Sequence, residues 1–301
     1  MKHLLTLEQL SKEELLDILN LADQLKFEKK NKIPHPILKG KTLGMIFQKS
    51  STRTRVSFEV GMHELGGQAL FLSSRDLQIG RGEPIQDTAR VLSRYLDGIM
   101  IRTFAQKEVE DLAKFGSIPV VNALTDYCHP CQVLADLMTI REFKGGYEGL
   151  KCVFIGDGNN MANSIIVGAL KLGMKMSIAS PKGYEVCEHI QDFAKNYPGM
   201  FEMTNDPMVA AKDADVIFTD VYASMGQEGE AKERLKAFKG FQVNRQLMNV
   251  AHKDCMVQHC LPAHREEEIT NEIFEEHANE IFEEAENRLH AQKAVLVKLM
   301  S

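Results

Sequence analysis

The stretch Thr42-Leu43-Gly44-Met45-Ile46-Phe47-Gln48-Lys49-Ser50-Ser51-Thr52-Arg53-Thr54-Arg55-Val56-Ser57-Phe58 decides the fold. Its first six residues are an apolar run of strand length, and from Val56 to Leu65 the pattern reads as a helix. Between them the chain places two Arg and four Ser or Thr within seven residues. A helix N-terminus offers unpaired amides and a partial positive charge, hydroxyls add donors, and Arg supplies a two-pronged donor, so this turn suits an oxyanion such as phosphate. The alternative is an ordinary capped helix with solvated arginines, for which so many donors exceed the need.

Working outward, Ser11-Lys12-Glu13-Glu14 fits a capping box. Leu15, Ile18, Leu19, Ala22 and Leu25 then predict an amphipathic helix ending before Pro34 and Pro36. Toward the C-terminus, Gly98 to Ile101 reads as strand, Lys107 to Phe115 as helix, Val120 to Ala123 as strand and Val133 to Phe143 as helix. Lys144-Gly145-Gly146 is a break suited to a domain boundary. The same grammar repeats beyond it: strands at Cys152 to Ile155, Lys175 to Ala179, Val216 to Thr219 and Met256 to His259, helices at Ala162 to Leu172 and Val186 to Asn196. Ala285 to Met300 closes the chain as a long helix. Alternation of this kind predicts α/β architecture: two similar domains, each a parallel sheet flanked by helices.

Composition agrees. With 301 residues and 44% hydrophobic content the chain has material for two cores. The formal charge of -6 is dispersed, which excludes an obvious nucleic-acid binder. Met1 to Glu8 reaches a charge before any long apolar run, and no stretch approaches the roughly 18 apolar residues of a membrane span, so neither export nor membrane insertion is expected. Six scattered cysteines suit reduced thiols in the cytoplasm.

Four further segments follow strands, where open α/β sheets place ligands. In Asp126-Tyr127-Cys128-His129-Pro130-Cys131-Gln132, His129 suits donation to a carbonyl oxygen and Gln132 suits an adjacent amide; a structural histidine is the other reading. Gly156-Asp157-Gly158-Asn159-Asn160-Met161 resembles a dinucleotide fingerprint but has Met161 in place of the third glycine, so a polar substrate site is favoured over a nicotinamide cofactor. Asp220-Val221-Tyr222-Ala223-Ser224-Met225-Gly226 ends a strand, and the polar stretch Gln227 to Gln242 reads as a loop able to close over a ligand. Asp220 suits a substrate ammonium, or simply a turn. Finally, His252, Cys255, His259, Cys260 and His264 invite a metal reading, but His259 and Cys260 should fall on opposite faces of a strand and the spacing is not that of zinc sites; no metal is expected.

Together, Ser-Thr-Arg-Thr-Arg, His-Pro-Cys-Gln, Asp-x3-Ser-Met-Gly and His-Cys-Leu-Pro, in this order, resemble the ornithine carbamoyltransferase family, and Glu286-Asn287-Arg288-Leu289-His290-Ala291-Gln292-Lys293 adds a fifth match. The resemblance implies a carbamoyl-phosphate domain of residues 1–143 joined by the terminal helix 285–301, an ornithine domain of residues 144–284, and an active site in the cleft between them. It implies that Ser51, Thr52, Arg53 and Thr54 bind phosphate, that Arg102 bridges phosphate and carbonyl oxygen, and that His129, Pro130, Cys131 and Gln132 hold the carbamoyl end. Cys260, Leu261 and Arg288 match further carbamoyl-phosphate contacts, while Asn160, Asp220, Ser224 and Met225 match ornithine contacts. Arg102, His129, Asp220 and Cys260 are the implied catalytic set, in transfer of a carbamoyl group to the δ-amine of ornithine without metal or organic cofactor.

Family members are trimers, and Gln78 would reach into a neighbouring subunit's site. Aspartate carbamoyltransferases carry a lysine in the matching loop; no Lys occurs here between Lys49 and Lys107, which disfavours aspartate. The rivals are a carbamoyltransferase for another amine, such as putrescine, and a non-catalytic anion-binding module on the same fold. Of the two directions the reaction can run, synthesis toward arginine is expected.

Overall fold

Ser11 opens the first helix as its spacing predicts. In the computed structural model, which describes residues 1–224, 226 and 228–301, its hydroxyl accepts from Glu14 N at 3.1 Å while the Glu14 carboxylate accepts from Ser11 N at 3.0 Å. Helix α1 (Lys12–Lys30) follows, burying Leu15, Ile18, Leu19, Ala22 and Leu25. Strand β1 (Thr42–Phe47) and helix α2 (Thr52–Glu64) come next, then β2 (Gln68–Ser73), α3 (Ile85–Leu92), β3 (Gly98–Arg102), α4 (Gln106–Phe115), β4 (Val120–Leu124) and α5 (Pro130–Lys144). The four strands form a parallel sheet in the order β2-β1-β3-β4. Ile46, Ile99, Ile101, Val109, Leu112 and Val120 pack together as its core.

A second parallel sheet, ordered β7-β6-β5-β8-β9, is built from β5 (Lys151–Ile155), β6 (Lys175–Ala179), β7 (Phe201–Thr204), β8 (Val216–Thr219) and β9 (Met256–His259). Its helices are α6 (Asn160–Lys171), α7 (Glu188–Ala194), α8 (Pro207–Ala211), α9 (Ala231–Ala237), α10 (Arg245–Met248) and α11 (Asn271–Glu276), and the chain ends in α12 (Ala278–Met300). Residues 1–138 with 286–301 form one compact unit and residues 139–285 the other, so the chain passes between units inside α5 and α12. Of the expected Lys144-Gly145-Gly146 break, Lys144 ends α5 and the two glycines follow it, beyond the point where the units divide. Among the described residues no helix is long and apolar enough to cross a membrane, and all six cysteines are free thiols.

Several boundaries differ from the sequence-based expectation. Helix α2 starts at Thr52 rather than Val56 because Ser51 caps it, accepting from Thr54 N at 3.2 Å. Helix α5 starts at Pro130 rather than Val133, since proline suits a first helical turn where its missing N–H is not needed. Helix α12 begins at Ala278, ahead of the expected Ala285. The stretch after residue 227, expected as a loop, contains α9. Strands β2 and β7 were not expected: both are edge strands whose burial is broken and partial, so they lack the continuous apolar run of a central strand.

The C-terminal half of α12 carries polar groups into the first unit's interior. Lys26 Nζ donates to Asn287 Oδ1 at 2.7 Å and Lys293 Nζ to Glu64 Oε2 at 2.8 Å. His290 is buried among these cations; burial first, then Lys293 and Lys26, push its imidazole down to about 3.

Candidate active site

Both sheets reverse their winding once, and each reversal marks where a ligand is expected, outside the carboxyl ends of the flanking strands. In the first sheet the reversal lies between β1 and β3, whose last residues, Phe47 and Arg102, are register partners. In the second it lies between β5 and β8, ending with the partners Ile155 and Thr219. Ser51 and the first turn of α2 after β1 hold the Ser51 to Arg55 motif, while Asn160 opens α6 after β5 and Asp220 directly follows β8.

At the first position the guanidinium of Arg288, from α12, organises the site. One nitrogen donates to Thr54 Oγ1 at 3.1 Å and another to Gln132 Oε1 at 2.6 Å. The phosphate-type turn, the His-Pro-Cys-Gln motif and the C-terminal motif are thereby joined in one polar cluster. Gln132 Nε2 in turn donates to the buried carboxylate of Asp136 at 2.8 Å. That bond fixes which end of the amide faces Arg288. Arg102 is buried at the end of β3, and its carbonyl accepts from Gln48 N at 2.9 Å. His129 lies buried just ahead of α5; burial, with the positive fields of Arg288 and Arg102, holds its imidazole well below the ordinary 6.5. A neutral imidazole keeps an N–H for a developing oxyanion without adding a second full charge.

Ser51, Thr52 and Arg53 sit on the same N-terminal turn, which contains no acidic residue. Ser51 and Arg53 are half-buried and Thr52 is exposed. A cavity of about 540 Å³ opens beside them, lined in part by Lys49, Ser51, Thr52, Arg55, Phe71 and Arg75. Arg102, His129 and Arg288 do not line it, so only part of the expected phosphate set faces that space. The Cys131 thiol donates to Asn122 O at 3.4 Å and burial raises it to about 12, leaving its backbone as the part that offers contacts. Gln78 is exposed at the start of a 3-10 helix, Gln78–Arg81.

At the second position the central group is the Asp220 carboxylate. It accepts from Asn159 Nδ2 at 3.1 Å, from Cys260 Sγ at 3.2 Å and from Val221 N at 2.8 Å. All three donors are neutral, and no cation pairs with it among the described residues. Asn160, expected as a direct contact, is half-buried at the first position of α6, while its neighbour Asn159 both caps that helix and orients Asp220. Ser224 is half-buried; Met225 lies outside the described residues. At the Gly156-Asp157-Gly158 turn a Cβ on Gly158 would stand 2.3 Å from the backbone at Glu185 and Val186, so the close approach of these chains requires glycine there.

His259, Cys260 and Asp220 present ligand-type atoms within 4.8 Å of one another, contrary to the expectation of opposite faces, because β9 ends at His259 and strand alternation does not extend to Cys260. The imidazole is nevertheless fully engaged. Leu261 N donates to His259 Nδ1 at 2.9 Å, so the proton lies on Nε2, which donates to the buried Glu268 at 2.9 Å, and no lone pair is left for an ion. Leu261 itself holds a left-handed φ of 57°, an uncommon conformation for a branched residue.

Sequence reasoning missed Asp136 and the Asp157–Arg234 pair. Asp136 was legible in principle, being four residues after Gln132 on one helix face. Arg234 reaches Asp157 across 77 positions, with its donor 2.8 Å from the carboxylate, and carried no local signal.

Two parallel sheets, each with a charged cluster at the switch point where open α/β sheets place ligands, define an α/β protein with two candidate ligand sites of opposite sign. Two family descriptions match the chain: "Aspartate/ornithine carbamoyltransferase, carbamoyl-P binding domain" over residues 2–142 and "Aspartate/ornithine carbamoyltransferase, Asp/Orn binding domain" over residues 148–299. The chain belongs to the aspartate/ornithine carbamoyltransferase family. A relative from Bacillus subtilis named ornithine carbamoyltransferase is 56% identical over 99% of this chain and 94% of its own length. The solved ornithine carbamoyltransferase from Pyrococcus furiosus is 53% identical, with a TM-score of 0.95 over 99% of this chain and 97% of that one. The anabolic enzyme from Campylobacter jejuni is 47% identical, with a TM-score of 0.93 and 99% of each chain covered.

Proposed function

We propose that this protein is an ornithine carbamoyltransferase, moving the carbamoyl group of carbamoyl phosphate to the δ-amine of L-ornithine to give L-citrulline and phosphate, in the direction of arginine synthesis. The observation that carries it is the Arg288 fork, which ties Thr54 of the phosphate turn to Gln132 of the carbamoyl motif. Full-length relatives named ornithine carbamoyltransferase, one of them anabolic, support the choice of amine and of direction.

Carbamoyl phosphate binds to residues Ser51 to Thr54 and Arg288, with Arg102 between phosphate and carbonyl oxygen and with Pro130, Cys131 and Gln132 at the carbamoyl end. The neutral δ-amine attacks the carbonyl carbon and forms a tetrahedral oxyanion. Thr54, Arg102 and His129 stabilise that charge, and collapse breaks the carbonyl carbon–oxygen bond to phosphate, which leaves with the proton given up by the amine nitrogen and is held by the arginine-rich turn. Asp220 receives the α-ammonium of ornithine, oriented by Asn159 and Cys260, with Asn160, Ser224 and Met225 as the remaining amino-acid contacts. Leu261 and Cys260 complete the carbamoyl-phosphate set. The protein works as a homotrimer in the cytoplasm, with Gln78 serving a neighbouring subunit; its exposure is compatible with that role. Residues 1–143 with 285–301 form the carbamoyl-phosphate domain and residues 144–284 the ornithine domain.

Purified protein given carbamoyl phosphate is expected to form citrulline from ornithine, and to turn over putrescine, N-acetylornithine and aspartate far more slowly. Equal rates with putrescine would overturn the amino-acid assignment.

A further inference from the structure

We propose that Arg234 is a positioning residue for the amino-acid substrate, fixing the backbone at Tyr222, between Asp220 and Ser224, against the turn that leads to Asn159. The inference rests on the ornithine reading above and names a residue that reading does not use.

Arg234 is buried in α9, and its guanidinium is a hub. One nitrogen donates to Asp157 Oδ2 at 2.8 Å and to the Tyr222 carbonyl at 3.0 Å, while Nε donates to Glu230 at 3.1 Å. Tyr222 stands two residues after Asp220 and two before Ser224, so the carbonyl bond pins the chain between both expected substrate contacts. Glu230, one turn earlier on the approach to α9, accepts from Arg234 and holds its guanidinium in place. Asp157 belongs to the turn whose next polar residue, Asn159, donates to Asp220. Aromatic packing reinforces the anchoring of Tyr222: the Tyr222 and Phe238 rings stack with centroids 4.5 Å apart, Tyr184 meets Phe238 at 4.9 Å, and Arg234 lies 5.1 Å over Tyr184.

The pairing also keeps the second site's charges sorted. Arg234 is engaged by Asp157 and Glu230, so its guanidinium does not compete with a substrate ammonium for Asp220. Burial raises the Asp157 carboxyl above its ordinary range, against the pull of Arg234. Breaking the hub therefore disturbs Asp220, Ser224 and Asn159 together while leaving the first unit's anion site intact.

The test is steady-state kinetics on the full-length protein with both substrates varied. Arg234→Met is expected to raise the KM for ornithine about 20-fold, the loss of one charge-assisted bond network, with the KM for carbamoyl phosphate within about threefold of wild type. Arg234→Lys, which keeps charge and part of the bonding, is expected to fall between. Asp157→Asn, a milder change usable if Arg234→Met does not fold, is expected to raise the ornithine KM about fivefold with the same asymmetry. A residue that merely supported the fold would move both KM values together or neither, and either result in folded variants would overturn the proposal. Wild-type turnover in the same assay separates the two readings: absence of citrulline there strikes the ornithine reading and this inference with it, whereas normal wild-type turnover with symmetric KM shifts strikes this inference alone.

Discussion

The two switch-point sites solve one electrostatic problem with opposite signs. In the first unit a buried guanidinium, Arg288, is oriented by Thr54 Oγ1 and Gln132 Oε1. In the second a carboxylate, Asp220, is oriented by an amide, a thiol and a backbone N–H. Asp220 is aimed by neutral donors, which fix direction without cancelling its charge. Arg234 is treated differently: Asp157 and Glu230 offset its charge, and it supports the chain. Holding the Asp220 carboxylate with neutral groups costs desolvation that an ion pair would have reduced, so that arrangement points to a cationic ligand.

Arg288→Met breaks the comparison most severely. It removes the buried fork, and kcat/KM for carbamoyl phosphate is expected to fall on the order of 1,000-fold, as for loss of a transition-state donor plus a buried charge partner. Steady-state assays at saturating ornithine provide the check. Asp220→Asn is expected to lower kcat/KM for ornithine about 100-fold, the size of a charge-assisted bond. N-acetylornithine, whose α-nitrogen is an amide and carries no ammonium, sharpens the comparison: its already slow turnover should change little in the same variant, and a parallel loss would mean that Asp220 does not read that group.

A smaller effect concerns pH. For a histidine whose folded value is lowered, the unfolded chain binds more protons below 6.5, so stability falls as pH drops from there toward the folded value. His290, pushed down to about 3, defines a window from about 6.5 to about 3, and His129 adds to its upper part. Urea midpoints should decline from pH 7 to pH 5, and His290→Gln should flatten that slope. A midpoint rising over the same interval would contradict the sign. Smallest is the cap: Ser51→Ala is expected to cost about 1 kcal/mol of stability by denaturant unfolding. Asn159→Ala should add an ornithine KM defect to a similar cap loss, because Asn159 alone of the two also holds a substrate-site carboxylate.

Central strands and motif turns were legible because they carry local signals. Thr42 to Phe47 and Lys175 to Ala179 have the apolar runs of buried strands, and Ser11 and Glu14 the spacing of a capping box. Edge strands β2 and β7, with broken burial, gave no such run. The cationic half of the site was also more legible than the carboxylate half. Two Arg and four Ser or Thr packed into seven residues announce an anion on their own. Asp220 by itself looks like a turn former, and only the folded chain brings Asn159 and Cys260 to its oxygens. Arg234 was invisible because its partner Asp157 is set by sheet order rather than by spacing along the chain.

The most direct test is a two-by-two measurement: kcat/KM for carboxyl-activated donor and for amine acceptor, that is carbamoyl phosphate and ornithine, in Arg288→Met and in Asp220→Asn. Opposite-sign sites predict that each variant loses principally on its own substrate, Arg288→Met on carbamoyl phosphate and Asp220→Asn on ornithine. If Asp220→Asn weakened carbamoyl phosphate as strongly as ornithine, the division of charge between the two sites would be wrong.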